Sequence, residues 1–203
     1  RGLLTDAAPD KGVSSLARAR ALLDGCKTNG TLPFSMLARH GFIGVAFLRS
    51  LVRRGVFTPD DADRFMRSIH TVAADLVHDM HAVGAGHMDE TAFLARYGHL
   101  RPGTYDITSW RYDERPELFI GQSGRSAPVA AEPYAPRPGQ RTAIAALLGE
   151  FGYAMEPEAF LGYIADAVRL REEAKFAFTR SISETLSILV HWGATLGLDR
   201  DDL

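Results

Sequence analysis

The amino-acid sequence predicts a mainly α fold: a bundle of long antiparallel helices with one irregular insertion at about residues 96–139. Three observations carry this. Apolar residues recur at three- and four-residue steps over long stretches. Those stretches are bounded by Pro, Gly or short capping side chains. No alternating apolar and polar run is longer than a few residues.

In chain order, residues 1–12 are rich in Gly, Pro and Asp and read as a tether. Ser14 to Lys27 is a helix, with Leu16, Ala19, Leu22, Leu23 and Cys26 on one face. Thr28-Asn29-Gly30 is a stop and turn signal. Pro33 opens a second helix that ends at Gly55. Its apolar face holds Phe34, Leu37, Ile43, Phe47, Leu48 and Leu51, while Gly41 and Gly44 predict the close approach of another helix. Thr58-Pro59-Asp60-Asp61 combines a capping hydroxyl, a proline at the first position and acids on the positive end of the dipole. It starts a helix expected to reach about Val83, with Phe65, Ile69, Val72, Leu76 and Met80 in the core.

Gly84-Ala85-Gly86 ends that helix, and Asp89 caps a short one to Tyr97. Residues 121–139 are rich in Gly, Ser, Ala and Pro and read as a long loop or flap. Gln140 to Phe151 is a helix. Pro157 starts the last and longest, periodic to about Leu196 through Phe160, Ile164, Ala167, Leu170, Ala174, Phe178, Ile182, Leu186, Leu189 and Gly193. About 36 residues of helix span roughly 54 Å.

Length and composition suit one soluble domain, 13–203: 203 residues, 46% hydrophobic and 24% charged. A formal charge of −2 gives no bulk electrostatic case for nucleic acid or an anionic membrane. No apolar run read from the sequence approaches membrane-spanning length. The single cysteine, Cys26, excludes an internal disulfide framework and suits a reducing, cytoplasmic compartment. With no initial methionine, no signal pattern and an end just after a helix, the chain reads as a piece of a larger multidomain polypeptide.

Four constellations carry chemistry. In RYGHLRPGTYD, Arg101 lies between flexible Gly98 and rigid Pro102, and its planar fork matches two phosphate or carboxylate oxygens. His99 can exchange a proton near neutral pH, and Thr104 and Asp106 can orient a hydroxyl. The structural alternative is a knot, with Arg101 paired to Asp106 and His99 a satisfied buried imidazole. On the last helix Arg171, Lys175 and Thr179 step by four and would line a groove with positive charge, or else form a solvated face. Lys27, Asn29, Thr31 and Arg39 surround a helix start, where free N–H groups favour anions, although a helix–turn–helix corner is their main role.

His70, His78 and His81 fall within about 80° of one helix face. No second Glu-x-x-His copy accompanies them, so no metal site is expected. P-loop, G-x-S-x-G and H-E-x-x-H signatures are missing.

The segment FLARYGHLRPGTYDITSWRYDE resembles the central segment of phosphoenolpyruvate-synthase-like proteins of the dikinase superfamily. CKTNGTLPFSMLARHGFIGVAFLRSLVRRG, DRFMRSIHTVAADL and REEAKFAFTRSISETLSILVHWGATLGLDRDDL look like the helical middle region of the same family. YGHLRPGTYD is similar to a YGHRGPGEID-like motif of rifampin phosphotransferases; it keeps the Tyr-Gly-His start and the acidic end, with the arginine displaced. In that family an ATP-grasp domain phosphorylates a histidine on a swivelling domain, which passes the phosphoryl group to an acceptor.

The resemblance implies that this chain is the acceptor-binding domain between the two. Its direct partners would be a small-molecule acceptor and those flanking domains, with no cofactor of its own. ATP and Mg would belong to the full-length enzyme, and the isolated piece is not expected to be active. Arg101, Lys175 and Arg171 would hold the travelling phosphoryl group. His99, Thr104 and Asp106 would position or deprotonate the acceptor hydroxyl. Tyr105, Trp110, Arg111 and the flap would shape the pocket. The alternative is a non-catalytic helical spacer between the ATP-grasp and histidine domains.

Overall fold

The computed structural model describes residues 14–120 and 132–203. The expected tether, and most of the expected flap, lie outside the described residues. Helices dominate, and no strand forms among the described residues. The bundle of long helices is therefore as the sequence predicts, and Tyr97 and Pro138 bracket the irregular insertion.

The expected stop at Thr28–Gly30 does not form. One helical rod runs from Ser15 to Arg53 through α1 (Ser15–Cys26), a π turn (Lys27–Thr31) and α2 (Leu32–Arg53). Gly30 is there for space rather than for turning. A Cβ added to it would lie 2.7 Å from Phe178 Cβ, against the long helix that the rod packs on. The wider turn also relaxes the ladder just ahead of Pro33, whose ring would press on the carbonyl four residues back in a regular helix. Joined in this way, the rod is long and apolar enough, by length and composition, to cross a membrane, with a mean hydropathy of 1.2 in its most apolar stretch. That revises the expectation drawn from the two segments read apart.

The helix expected from Thr58 to about Val83 is two helices, α3 (Pro59–Ser68) and α4 (Val72–Gly84). Ile69 leaves the helix in an extended conformation, and Thr71 caps α4 by accepting from the Ala74 N–H. The start of α3 is as expected. Thr58 Oγ1 accepts from the Asp61 N–H, and Asp61 accepts in return from the Thr58 N–H at 3.0 Å. Asp89 caps α5 (Glu90–Tyr97) through the Ala92 N–H. After the insertion come α6 (Pro138–Glu150) and α7 (Pro157–Ala194), the latter unbroken at Phe176–Thr179.

The rod and α7 are antiparallel. Arg18 pairs with Glu184, Gly30 meets Phe178, Gly41 meets Ala167 and Arg171, Gly44 meets Ile164, and Phe47 stacks on Phe160. Gly41 and Gly44 thus mark a close helix crossing, as their spacing predicts. Ile43, expected in the core, is instead exposed with Leu32, Met36 and Phe42 on the rod's outer side.

The two ends of the bundle differ. At one, Leu48, Leu51, Phe57, Phe65, Ile144, Phe160, Leu161 and Ile164 form the apolar core. At the other, α7 buries Thr179, Ser183, Thr185 and Ser187. The apolar positions expected there, Ile182, Leu186 and Leu189, are only half-buried. That polar stripe is what the insertion folds onto.

Candidate functional site

The insertion is held by arginines. Arg96 reaches Asp75 and Asp79 on α4, and the Tyr97 hydroxyl also donates to Asp79, at 2.8 Å. These bonds fix α5 on α4. Arg111 pairs with Asp113 and with Glu184 of α7, and Glu184 also meets Arg18 of α1. Arg200, just beyond α7, donates to the carbonyls of Ile107 and Ser109 and to Glu114, with its guanidinium 3.9 Å from the Trp110 ring centre. Burial pushes the Glu114 carboxyl up. Hydrogen bonds from the Arg111 N–H and Ser187, with the charges of Arg101 and Arg200, outweigh this and hold it below its usual range.

Arg101 does not present a free tip. Its side chain is fully buried, because the polar stripe of α7 was built to receive it. Nε donates to Ser183 Oγ at 3.0 Å and Nη2 to Ser187 Oγ at 2.8 Å, Nη1 donates to the Ser109 carbonyl, and Glu114 lies 3.7 Å away. The expected role of holding a phosphoryl group is therefore corrected: this guanidinium is already committed. Asp106 is not its partner either. Asp106 is exposed and folds the turn by accepting from the Thr108 N–H and hydroxyl, which lower its pKa. It has no hydrogen bond or ion pair to His99 or Arg101.

His99 is the residue that does not fit a purely structural knot. It is 4% exposed, and neither ring nitrogen has a hydrogen-bond partner among the described residues. Its ring meets Phe176 edge to face at 4.9 Å. Burial lowers its pKa to about 4, helped by the charges of Arg180 and Arg111. The nearby Phe176 carbonyl and Asp113 oppose that shift without reversing it. The ring is neutral at pH 7, with one N–H to give and one lone pair to receive.

Beside it is a cavity of about 150 Å³ between α4, the start of the insertion and the middle of α7. Val72, Ala73, Leu76 and Phe176 give it an apolar wall. His99, Thr104, Glu172, Lys175, Thr179 and Ser183 give it a polar one. Lys175 is exposed, with no ion pair or hydrogen bond among the described residues, and Glu172 has only a long contact with Arg171, at 3.7 Å.

Of the residues singled out in the sequence, His99, Arg101, Thr104 and Lys175 thus meet at one cavity. The others do not. Arg171 shares a helix with Lys175, but its guanidinium lies over Phe42 and its stem packs where a Gly41 Cβ would be. Arg39 is exposed on α2, and Tyr105 is 62% exposed; neither lines the cavity. Trp110 is held between Arg200 and Arg115, and Arg111 is consumed by its carboxylates.

The corner proposed around Lys27 and Asn29 is part of the continuous rod, so it offers no free helix start. On α4 and before it, His70 pairs with Asp75, whose other oxygen takes Arg96. Among the described residues no group of His, Cys, Asp and Glu is placed to hold a metal ion.

Reading the sequence for charge missed Ser183, Ser187 and Arg200. The first two carry a signal in hindsight: with Thr179 they put small hydroxyls at four-residue steps on one helix face. Comparison with known proteins adds no relative: no family model, no curated protein and no solved structure matches the chain.

Proposed function

We propose that the chain is the acceptor-binding domain of an ATP-dependent, phosphohistidine-using phosphotransferase, with the His99 cavity as the acceptor site. The supporting observation is a buried, neutral imidazole with two unpartnered nitrogens on the wall of a cavity. Leaving such groups unpaired costs about 1–3 kcal/mol each, which an arriving hydroxyl would recover. A neutral His99 is in the protonation state that accepts a hydroxyl proton. Thr104 lies in the same wall, and Lys175 is the free cation able to face an incoming phosphoryl group. Arg101 supports the site by holding Ser109 and the insertion against α7.

One observation favours the spacer alternative. Arg96, Arg101, Arg111 and Arg200 all spend their charges on internal contacts. A domain that only sets the swing of its neighbours would look like that everywhere except at His99.

The two are separated in the longer polypeptide that the proposal requires, given labelled ATP. His99→Asn should leave label accumulating on the swivelling histidine and reduce its passage to small-molecule acceptors at least about a hundredfold, within the range that removing an acid–base group produces. Undiminished transfer would assign the acceptor site elsewhere.

A further inference from the structure

We infer that the His99 cavity takes an uncharged hydroxyl compound with a compact apolar body about the size of a six-membered ring; this rests on its role as a ligand site and names the ligand's class. Size comes first. A cavity of about 150 Å³ is the size that accommodates a benzene ring. Shape and polarity come next. The α4 wall and Phe176 offer only carbon, whereas His99 offers a donor and an acceptor that nothing in the described protein satisfies. A hydroxyl is the smallest group that can both give and receive a hydrogen bond.

Charge then excludes the ionic alternatives. Lys175 and Glu172 both line the cavity and oppose one another in sign, so the pair favours neither ion. Arg101 also lines it, but its Nε and both terminal nitrogens are engaged by Ser183, Ser187 and Ser109. No guanidinium is left to neutralise a buried carboxylate or phosphate. A ligand cation would meet Lys175 and the positive field that Arg180 and Arg111 impose at His99. Either ion would be desolvated without a dedicated partner, which is the expensive case.

The test uses the 203-residue chain with ring-labelled histidine and four probes of one shape: cyclohexanol, cyclohexene, cyclohexanecarboxylate and cyclohexylammonium. Cyclohexanol should shift the His99 ring resonances in a saturable way and bind at least about tenfold more tightly than the other three, because a site built around a hydroxyl leaves its polar groups unpaired with the analogue that lacks one. His99→Phe should erase the preference for the alcohol. Leu76→Trp, which fills the cavity from the partly exposed α4 side and leaves His99 in place, should abolish binding of all four.

Tighter binding of the carboxylate or the ammonium compound overturns the inference. So does a cavity that holds only ordered water, with no saturable shift from any probe. If either result accompanies phosphoryl transfer that still needs His99, the ligand class fails and the acceptor role stands. If cyclohexanol binds as stated but His99→Asn transfers undiminished, the acceptor role fails and the ligand class stands.

Discussion

Replacing Arg101 with methionine tests whether that residue is a keystone or a catalytic hand. Methionine restores most of the bulk and none of the donors. The Ser109 carbonyl would keep Arg200 at 3.2 Å, and Glu114 would keep Arg200, Ser187 and the Arg111 N–H. Ser183 Oγ would lose its donor outright. Two charge-assisted bonds to serine hydroxyls are therefore lost, at about 1.5–3 kcal/mol each. Part of that is offset because the variant no longer has to desolvate a guanidinium.

The net expectation is a loss of about 2–4 kcal/mol, a large fraction of the stability of an ordinary domain. Urea unfolding followed by far-ultraviolet circular dichroism measures it, with an unchanged slope confirming that only stability moved. Arg101→Lys should lose nearly as much, because an ammonium cannot fork between Ser183 and Ser187. If Arg101→Met unfolds within about 0.5 kcal/mol of wild type, as a surface substitution would, the keystone assignment is wrong.

Other expectations follow from the same geometry. His99 is held neutral, with its folded pKa near 4 against 6.5. Its contribution is therefore present above pH 6.5 and is lost as pH falls from 6.5 toward 4, where the unfolded chain binds the proton more readily. The loss is about 3 kcal/mol at 1.36 kcal/mol per unit, and urea titrations of wild type against His99→Phe should diverge in that window alone. Gly25 has open space around its would-be Cβ, whereas that of Gly30 would strike Phe178. Gly25→Ala should stabilise by about 0.5–1 kcal/mol. Gly30→Ala should come out about 1–3 kcal/mol worse than that through overpacking, and equal midpoints in denaturant would show that the close contact is not there. Arg200→Ala should speed amide exchange across residues 100–114 and leave α6 unchanged; uniform protection would mean that the guanidinium does not clamp the loop.

The helix ends were legible wherever local chemistry decides them. Thr58, Asp89 and Pro157 start helices because capping and proline geometry act within one turn. Gly30 misled because a glycine needed for a neighbour's approach looks the same in sequence as one needed for a turn. The break at Ile69–Thr71 was hidden for a related reason: Ile69 keeps its place in the core while its backbone leaves the helix. The fate of Arg101 was beyond local reasoning, since its serine partners lie 82 and 86 residues away. What periodicity did supply was His99 beside the α7 face bearing Lys175, and those two do meet at the cavity.

The two sides of that cavity are unequal in stiffness. α7 is one unbroken helix of 38 residues, clamped along its length by the rod. α4 has thirteen residues, none of them fully buried, and hangs from the extended link at Ile69–Thr71. The rigid side carries Lys175, Thr179 and Ser183, and the insertion bound to it carries His99. The yielding side carries only carbon. Such a pocket is strict about where a hydroxyl sits and forgiving about the outline of what bears it, so a series of alcohols of growing bulk should lose affinity gradually, while moving the hydroxyl around the ring should lose it abruptly.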